Sequence, residues 1–307
     1  MIDPGLALVV GLGAAAVLEA AVGEPPARLH PVAWLGRAIG WLERRQFGAP
    51  KSVGSVYALA VPAGCALVAA TLVAAAGAGP IPALAPVVAG VVLWISSSLR
   101  MLLERGRVVV ASSETDVEAA RESLLALAGR DASELSPELV RSAAVESLAE
   151  NLSDGFVAPL SAFLALSFVS IPAAAAGAAF VKGANTMDSM LGYPGPFGWG
   201  SARLDDLVMF VPARLSAICL GLGSGDPEAP FRARRYATKP ASPNAGWPMG
   251  TLAAALNVRL EKPGAYVLNG VADYPTVADG DRAIGAVRSA AAIASIAVAV
   301  VGVVRWL

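Results

Sequence analysis

Histidine and cysteine are scarce in this chain of 307 residues, and charge is thin. The single histidine, His30, excludes multi-histidine metal sites and leaves any Ser–His catalytic arrangement resting on one residue. Cys65 and Cys219 stand alone in apolar stretches, so a disulfide framework, a zinc ribbon and a CxxC redox motif are all absent. Charged residues make up 15% of the chain and hydrophobic residues 56%, against roughly 25% and 45–50% in soluble globular proteins. A net charge of −1 offers no electrostatic case for a nucleic-acid partner. There is no GxxxxGK[ST] loop, and the glycine-rich run after Leu220 lacks the strand-and-helix setting of a dinucleotide site. No strand pattern and no internal repeat stands out. What remains is chemistry run on carboxylates, amides and cationic side chains, in a chain solvated by lipid.

A spanning helix needs about 20 mostly apolar residues. Segments 6–22, 56–77, 82–98, 156–180 and 284–304 meet or approach this, while 207–223 is shorter and carries Pro212 and Arg214. The first segment has no basic region before it and holds Glu19 near its end, which predicts a retained helix. Arg28, Arg37, Arg44, Arg45 and Lys51 follow it, whereas the link GAGPIP carries no basic residue, so the first loop is assigned to the cytoplasm. Segment 156–180 is interrupted by Ser170-Ile171-Pro172, and proline disfavours helical geometry in the residue before it. Two helices of about 13 residues rise roughly 20 Å each, short of a roughly 30 Å core. The expected form is a re-entrant helical hairpin with both ends on one face.

The expected fold is therefore all-α, a polytopic helical membrane bundle with a re-entrant hairpin and cytoplasmic helices. Residues 1–307 read as one membrane domain, with 100–154 a cytoplasmic helical insertion and 224–283 a cytoplasmic loop region. Val32, Leu35, Ile39 and Leu42 recur at helical spacing beside Trp34 and Trp41, a pattern for an interfacial helix that Gly36 and Gly40 weaken. Ser113 with Asp116 predicts a helix start running toward Leu127 and ending at Gly129. Ser136-Pro137 predicts another that runs to about Leu152.

On that last helix Glu146, Glu150 and Asp154 share one stripe opposite Val145, Leu148 and Leu152. Like charges at this spacing repel by a few tenths of a kcal/mol per exposed pair, so the stripe is either a solvated face or a place where a cation sits. Asn151-x-x-Asp154 and Asn185-x-x-Asp188 repeat one spacing at both ends of the expected hairpin, and Asp205-Asp206 follow Ser201 and Arg203. Oxygen ligands of this kind suit Mg²⁺, which keeps waters and is bridged to substrate phosphates by one or two carboxylates. Lys182, Arg203 and Arg214 are candidates for the anion. Each N-x-x-D taken alone is equally a cap or turn. Arg214 inside an apolar run is either functional or snorkelling, and His30 before Pro31 reads as capping or packing. The 242–248 segment, SPNAGWP, is a rigid turn by composition.

Together VESLAENLSDGFVAPL, NTMDSMLGY, SARLDD followed by PARL, ASPNAGWP, GEPPARLHPVAWLGR and GRDASEL resemble the CobD/CbiB family of cobalamin biosynthesis, the adenosylcobinamide-phosphate synthases. The resemblance covers about residues 15–260. It implies a multi-pass plasma-membrane enzyme with its active site facing the cytoplasm. Its reaction would be an ATP- and Mg²⁺-dependent amide ligation of adenosylcobyric acid to an aminopropanol phosphate. The matching positions are His30, Glu146, Glu150, Asn151, Asp154, Lys182, Asn185, Asp188, Ser201, Arg203, Asp205, Asp206, Arg214, Ser242 and Asn244. Of these, Asp154, Asp188, Asp205 and Asp206 would serve Mg²⁺, Lys182 and Arg203 the phosphates, and Glu150 the proton of the incoming ammonium. His30, Ser201, Arg214, Ser242 and Asn244 would touch substrate. Other membrane enzymes of the late corrinoid pathway are expected partners, and nucleic acid is not. The chain departs from the family pattern at Glu24, where members often carry Asp, at PGPFG after Tyr193, and at EKPGAYVLN. Two other readings remain open on the residues: an intramembrane prenyltransferase using Mg²⁺ and a diphosphate, and a sensor or transporter of the same fold without chemistry.

Overall fold

The computed structural model describes residues 3–46, 48–128, 132–192 and 195–307. In chain order the helices are α1 (Pro4–Ala21), α2 (Pro31–Gln46), α3 (Lys51–Ala78), α4 (Leu84–Ser96), α5 (Leu99–Ser112), α6 (Val117–Ala128) and α7 (Pro137–Leu152). A π-helical turn, Ser153–Val157, leads into α8 (Ala158–Ser167). Then come α9 (Ile171–Leu191), α10 (Trp199–Val208), α11 (Phe210–Gly223), α12 (Ala229–Ala233) and α13 (Gly246–Leu256). Strands β1 (Leu260–Lys262) and β2 (Tyr266–Leu268) precede the last helix, α14 (Val277–Trp306). The fold is all-α apart from that hairpin, as expected. Four helical lengths are long and apolar enough to cross a membrane, Pro4–Ala21, Lys51–Ala78, Leu84–Ser112 and Val277–Trp306, and α10 with α11 makes a fifth if counted as one broken span.

The chain divides into two compact units. The first holds Met1–Ser98, Asp154–Met209 and Ser295–Leu307, and the second Leu99–Ser153 and Phe210–Ala294.

In the first unit α8 and α9 pack as an antiparallel hairpin. Ser170 opens α9 by accepting the Ala173 N–H at its hydroxyl (3.2 Å), with Pro172 in the first turn where a missing N–H is harmless. The break read from Ser-Ile-Pro is thus also a helix start. The arms are unequal, 10 residues against 21, because α9 runs on past the apolar segment to Leu191. Ala158 and Val181 share one apolar cluster, and a Cβ on Gly177 would stand 3.0 Å from the Ala162 carbonyl oxygen and 2.8 Å from Leu166. A step of four along one arm therefore matches a step of four back along the other. At the closed end, Arg305 of α14 donates to the Ser167 hydroxyl (2.9 Å) and carbonyl (3.3 Å) and lies 4.2 Å from the Phe168 ring centroid.

The π-helical turn has a cause in two residues. Pro159 has no N–H to give the carbonyl of Gly155, and that carbonyl accepts instead from the Ser98 N–H at 3.0 Å. Gly155 permits the approach, since a Cβ there would meet the Ser98 hydroxyl at 2.7 Å. Elsewhere in this unit α2 buries Ile39 and Leu42 against Met187 and Leu191 of α9, while Trp34 and Trp41 stay exposed, as an interfacial helix requires.

The second unit corrects several expectations. Asp116, not Ser113, caps α6, accepting the Ala119 N–H at 3.1 Å, while the buried Ser113 hydroxyl donates to the Val110 carbonyl within the preceding turn. The predicted end at Gly129 lies outside the described residues, as do Asp131 and Tyr193. Ser136 caps α7 as predicted. The helix is buried on every side from Val140 to Ala149, so its acidic stripe is not a solvated face. Segment 224–283, expected as a loop region, contains α12, α13 and the β-hairpin. That hairpin was not legible because strands of three residues are too short for an alternating pattern. Its turn follows from Pro263-Gly264: Gly264 has φ +73° and the Ala265 N–H donates to the Lys262 carbonyl at 2.9 Å, the geometry of a type II turn.

Gly177→Val is expected to destabilise the protein by about 1–3 kcal/mol, the usual cost of forcing extra carbon into a packed seam. A lowered thermal midpoint in detergent checks this, and an unchanged midpoint contradicts the packing.

Candidate functional site

The register that closes the hairpin also places Asp154 opposite Asn185, and the Asn185 amide donates to Asp154 Oδ2 at 3.3 Å. The two N-x-x-D motifs thus meet at the open end of one supersecondary unit, through residues 31 positions apart in the chain. Lys182, one turn back along α9, is half-buried within reach of the charges of Glu24 and Asp154. Asp188, one turn on, lies near Asp206, and burial first and the Asp206 charge second push its carboxyl above the ordinary range. Gly192 makes room for the Asp188 carboxylate, with which any Cβ at that position would collide. Arg203 donates to Asp206 Oδ2 at 2.9 Å across one turn of α10. Asp205 is buried beside it.

Glu24 was passed over in the sequence except as a departure, and the structure puts it in this group. His30 Nδ1 accepts the Val32 N–H at 3.1 Å, which leaves the ring proton on Nε2 to be donated to Glu24 Oε2 at 2.7 Å. The only sequence signal was GEPPARLHP, where two acid–base residues flank a proline-stiffened turn. Ser201, by contrast, is buried and donates to the Gly198 carbonyl at 2.9 Å, which serves the first turn of α10.

Among the described residues no three His, Cys, Asp or Glu side chains gather closely enough to hold a metal unaided. The neighbours are pairs: Asp188 with Asp206, and Asp154 with the Asn185 amide. That donor set fits Mg²⁺, which is held by one or two carboxylates together with substrate phosphates, better than it fits a self-sufficient protein cage.

The second unit carries a separate cluster. Arg214 donates to Asn244 Oδ1 (2.8 Å) and to the Phe210 carbonyl (2.7 Å), with its guanidinium 3.6 Å from the Phe210 ring centroid and 5.1 Å from that of Trp247. Ser242 accepts the Asn244 N–H at 3.2 Å and shapes the turn that presents the amide. Three residues named from the sequence, Arg214, Ser242 and Asn244, are therefore one constellation, and Arg214 is held by protein groups. Glu150 and Asn151 are half-buried on the last turn of α7, where the Asn151 amide donates to the Ser147 carbonyl at 2.9 Å. Glu146 is 3% exposed and accepts from the Ser142 hydroxyl (3.2 Å) and the Tyr266 hydroxyl (3.0 Å). The Glu261 N–H in turn donates to the Ser142 hydroxyl at 2.7 Å, so the β-hairpin is clamped onto α7 through the very segment that departs from the family pattern.

These features define a class: a multi-pass helical membrane protein with an acid–amide–lysine cluster at the open end of a helical hairpin. A family profile described as "CobD/Cbib protein" matches residues 12–296. The chain belongs to that family, and with it to the proteins of cobalamin biosynthesis. It is similar to "Cobalamin biosynthesis protein CobD" of Rhodobacter capsulatus, 35% identical over 96% of each chain. It is also similar to "Probable cobalamin biosynthesis protein CobD" of Methanothermobacter thermautotrophicus, 35% identical over 84% of this chain and 86% of the relative. The protein of that same description from Archaeoglobus fulgidus is 37% identical over 88% of this chain and 86% of its own. No solved structure matches the chain.

Hydrogen bonds from the Tyr274 hydroxyl (2.6 Å) and then Arg259 (2.9 Å) hold the Glu261 carboxyl below the ordinary carboxylate range. A lowered native pKa stabilises the fold above the unfolded value, about 4.3, and this gain is lost as pH falls through the native value. Glu261→Gln is therefore expected to melt earlier than the unaltered protein at pH 7, with the gap closing below about pH 4. Melts at the two pH values check this; a gap that persists in acid contradicts it.

Proposed function

We propose that the protein is an ATP- and Mg²⁺-dependent amide ligase that joins adenosylcobyric acid to (R)-1-amino-2-propanol O-phosphate, giving adenosylcobinamide phosphate. The observation that carries this reading is the pairing of Asp154 with Asn185 beside Lys182, in a chain of the CobD/Cbib family. A carboxylate is a poor electrophile, so the corrinoid carboxylate first takes the γ-phosphoryl group of ATP and releases ADP. The amine then attacks the acyl phosphate, inorganic phosphate leaves and the nitrogen loses a proton. Phosphoryl transfer is a matter of positioning and charge stabilisation. Asp188 with Asp206, or Asp154 with the Asn185 amide, would hold a divalent ion together with the substrate phosphates. That ion, when bound, would neutralise charge developing on the transferred phosphoryl oxygens. Lys182 and Arg203 serve the phosphates, both as charge-assisted donors.

Helices long and apolar enough to cross a membrane support a membrane setting for such a site, and the basic residues of the first loop favour a cytoplasmic opening, where ATP is available. The large amphipathic corrinoid suits a mouth at the membrane surface. In the second unit Arg214, braced by Asn244 and two aromatic rings, is a separate cationic group suited to an anion.

Purified protein in detergent with both substrates, ATP and Mg²⁺ is expected to yield a corrinoid mass gain matching the amide. Omitting ATP abolishes it, and Asp188→Ala lowers the rate by roughly 10²-fold or more, the scale of losing one preorganised electrostatic group. A folded protein that binds corrinoid yet yields no product contradicts the ligase.

A further inference from the structure

We infer that Glu24, set by His30, is the anchor for the ammonium group of the amine substrate, with Lys182 beside it for the phosphate end of the same molecule; this rests on the ligase reading. The first observation is an imbalance at one carboxylate. Glu24 Oε2 is occupied by the His30 Nε2 proton at 2.7 Å, while Glu24 Oε1 is shielded within the protein and accepts no hydrogen bond among the described residues. Lys182 stands close enough for its charge to matter but makes no hydrogen bond to that oxygen. A shielded carboxylate oxygen without a donor costs the desolvation of a charged acceptor, so its retention points to a donor that arrives with a ligand.

The second observation is how firmly the carboxylate is held. Gly23, at φ +69°, turns the chain out of α1, and its carbonyl accepts the Trp94 indole N–H at 2.9 Å. Pro25 and Pro26 stiffen the next two positions. The imidazole is fixed in turn by the Val32 N–H on Nδ1. A side chain placed by an indole, two prolines and an imidazole belongs to a preorganised binding group.

The charges choose the ligand. A divalent ion needs several protein oxygen or nitrogen ligands, and no group of three His, Cys, Asp or Glu side chains forms around Glu24 among the described residues. A primary ammonium needs one strong acceptor and brings up to three donors. With the Glu24 carboxylate and the Lys182 amine within range of each other's charge, the group is complementary to a ligand that carries an ammonium at one end and a phosphate at the other. His30 is a positioning residue, since it acts on the ligand only through Glu24.

The test is binding to the purified full-length protein, by calorimetry, of (R)-1-amino-2-propanol O-phosphate and of the propanediol phosphate in which hydroxyl replaces the amine. The unaltered protein is expected to favour the amine by roughly tenfold or more, the scale of a charge-assisted hydrogen bond. Glu24→Gln should abolish that preference and leave the diol phosphate bound as before, while Lys182→Gln weakens both ligands. Glu24→Asp should keep the preference in part. If Glu24→Gln does not purify folded, His30→Gln serves: it frees the carboxylate to turn and should lessen the preference for the amine without affecting the diol. In turnover, the KM for the amine should rise with that for adenosylcobyric acid unchanged. Preference retained in Glu24→Gln overturns the anchor and leaves the ligase standing. An unaltered protein that binds neither phosphate overturns the ligase reading and the anchor with it.

Discussion

The seam between α8 and α9 sets where the charged groups of the first unit stand. Small residues, Ala158, Ala162 and Gly177, let the two backbones approach until Leu166 and the Ala162 carbonyl fill the space in front of Gly177. Where lipid solvates apolar faces, close packing of small residues is what drives helices together. Continued for two more turns, the same register delivers Asp154 to Asn185 and leaves Lys182 and Asp188 one turn to either side. The chemistry proposed for the protein thus depends on a packing geometry that involves no charged residue until its last contact.

A second constraint acts on the backbone. Pro159 removes one helical hydrogen bond, Gly155 lends its carbonyl to Ser98, and the helix widens into a π turn that contains Asp154. Such turns recur at functional positions because they break the regular spacing of a helix. Asp154 is therefore not simply the third member of the stripe begun by Glu146 and Glu150. Those two belong to α7 in the second unit, where Glu146 is consumed by hydrogen bonds from Ser142 and Tyr266.

Much of this was legible in residues whose effect is local. Ser170-Ile171-Pro172 marks the turn of the hairpin, Ser136-Pro137 starts α7, and repetition of N-x-x-D at the hairpin ends foretells their meeting. What escaped the sequence depends on partners far along the chain or on signals too short to repeat. The π turn needs Ser98, 57 positions from Gly155 by residue number, to accept its altered geometry. Strands of three residues show no alternation. Burial of Glu146 requires a tyrosine from the β-hairpin. Glu24 entered the sequence reading only as a departure from the family pattern, because what fixes it, the Trp94 indole on the Gly23 carbonyl and the His30 imidazole on its own carboxylate, is set by the fold. The division into two units has no linker of distinctive composition to announce it, because the chain passes between them inside or beside helices.

The central claim is that the two motifs act as one site through the Asp154–Asn185 contact. A double-mutant cycle on amide formation, with Asp154→Ala, Asn185→Ala and the pair, tests it most directly. Residues in contact should be non-additive by about 0.5–3 kcal/mol, so the pair should be little worse than the more damaging single change. Losses that multiply would mean that the two residues act independently, and would contradict the account.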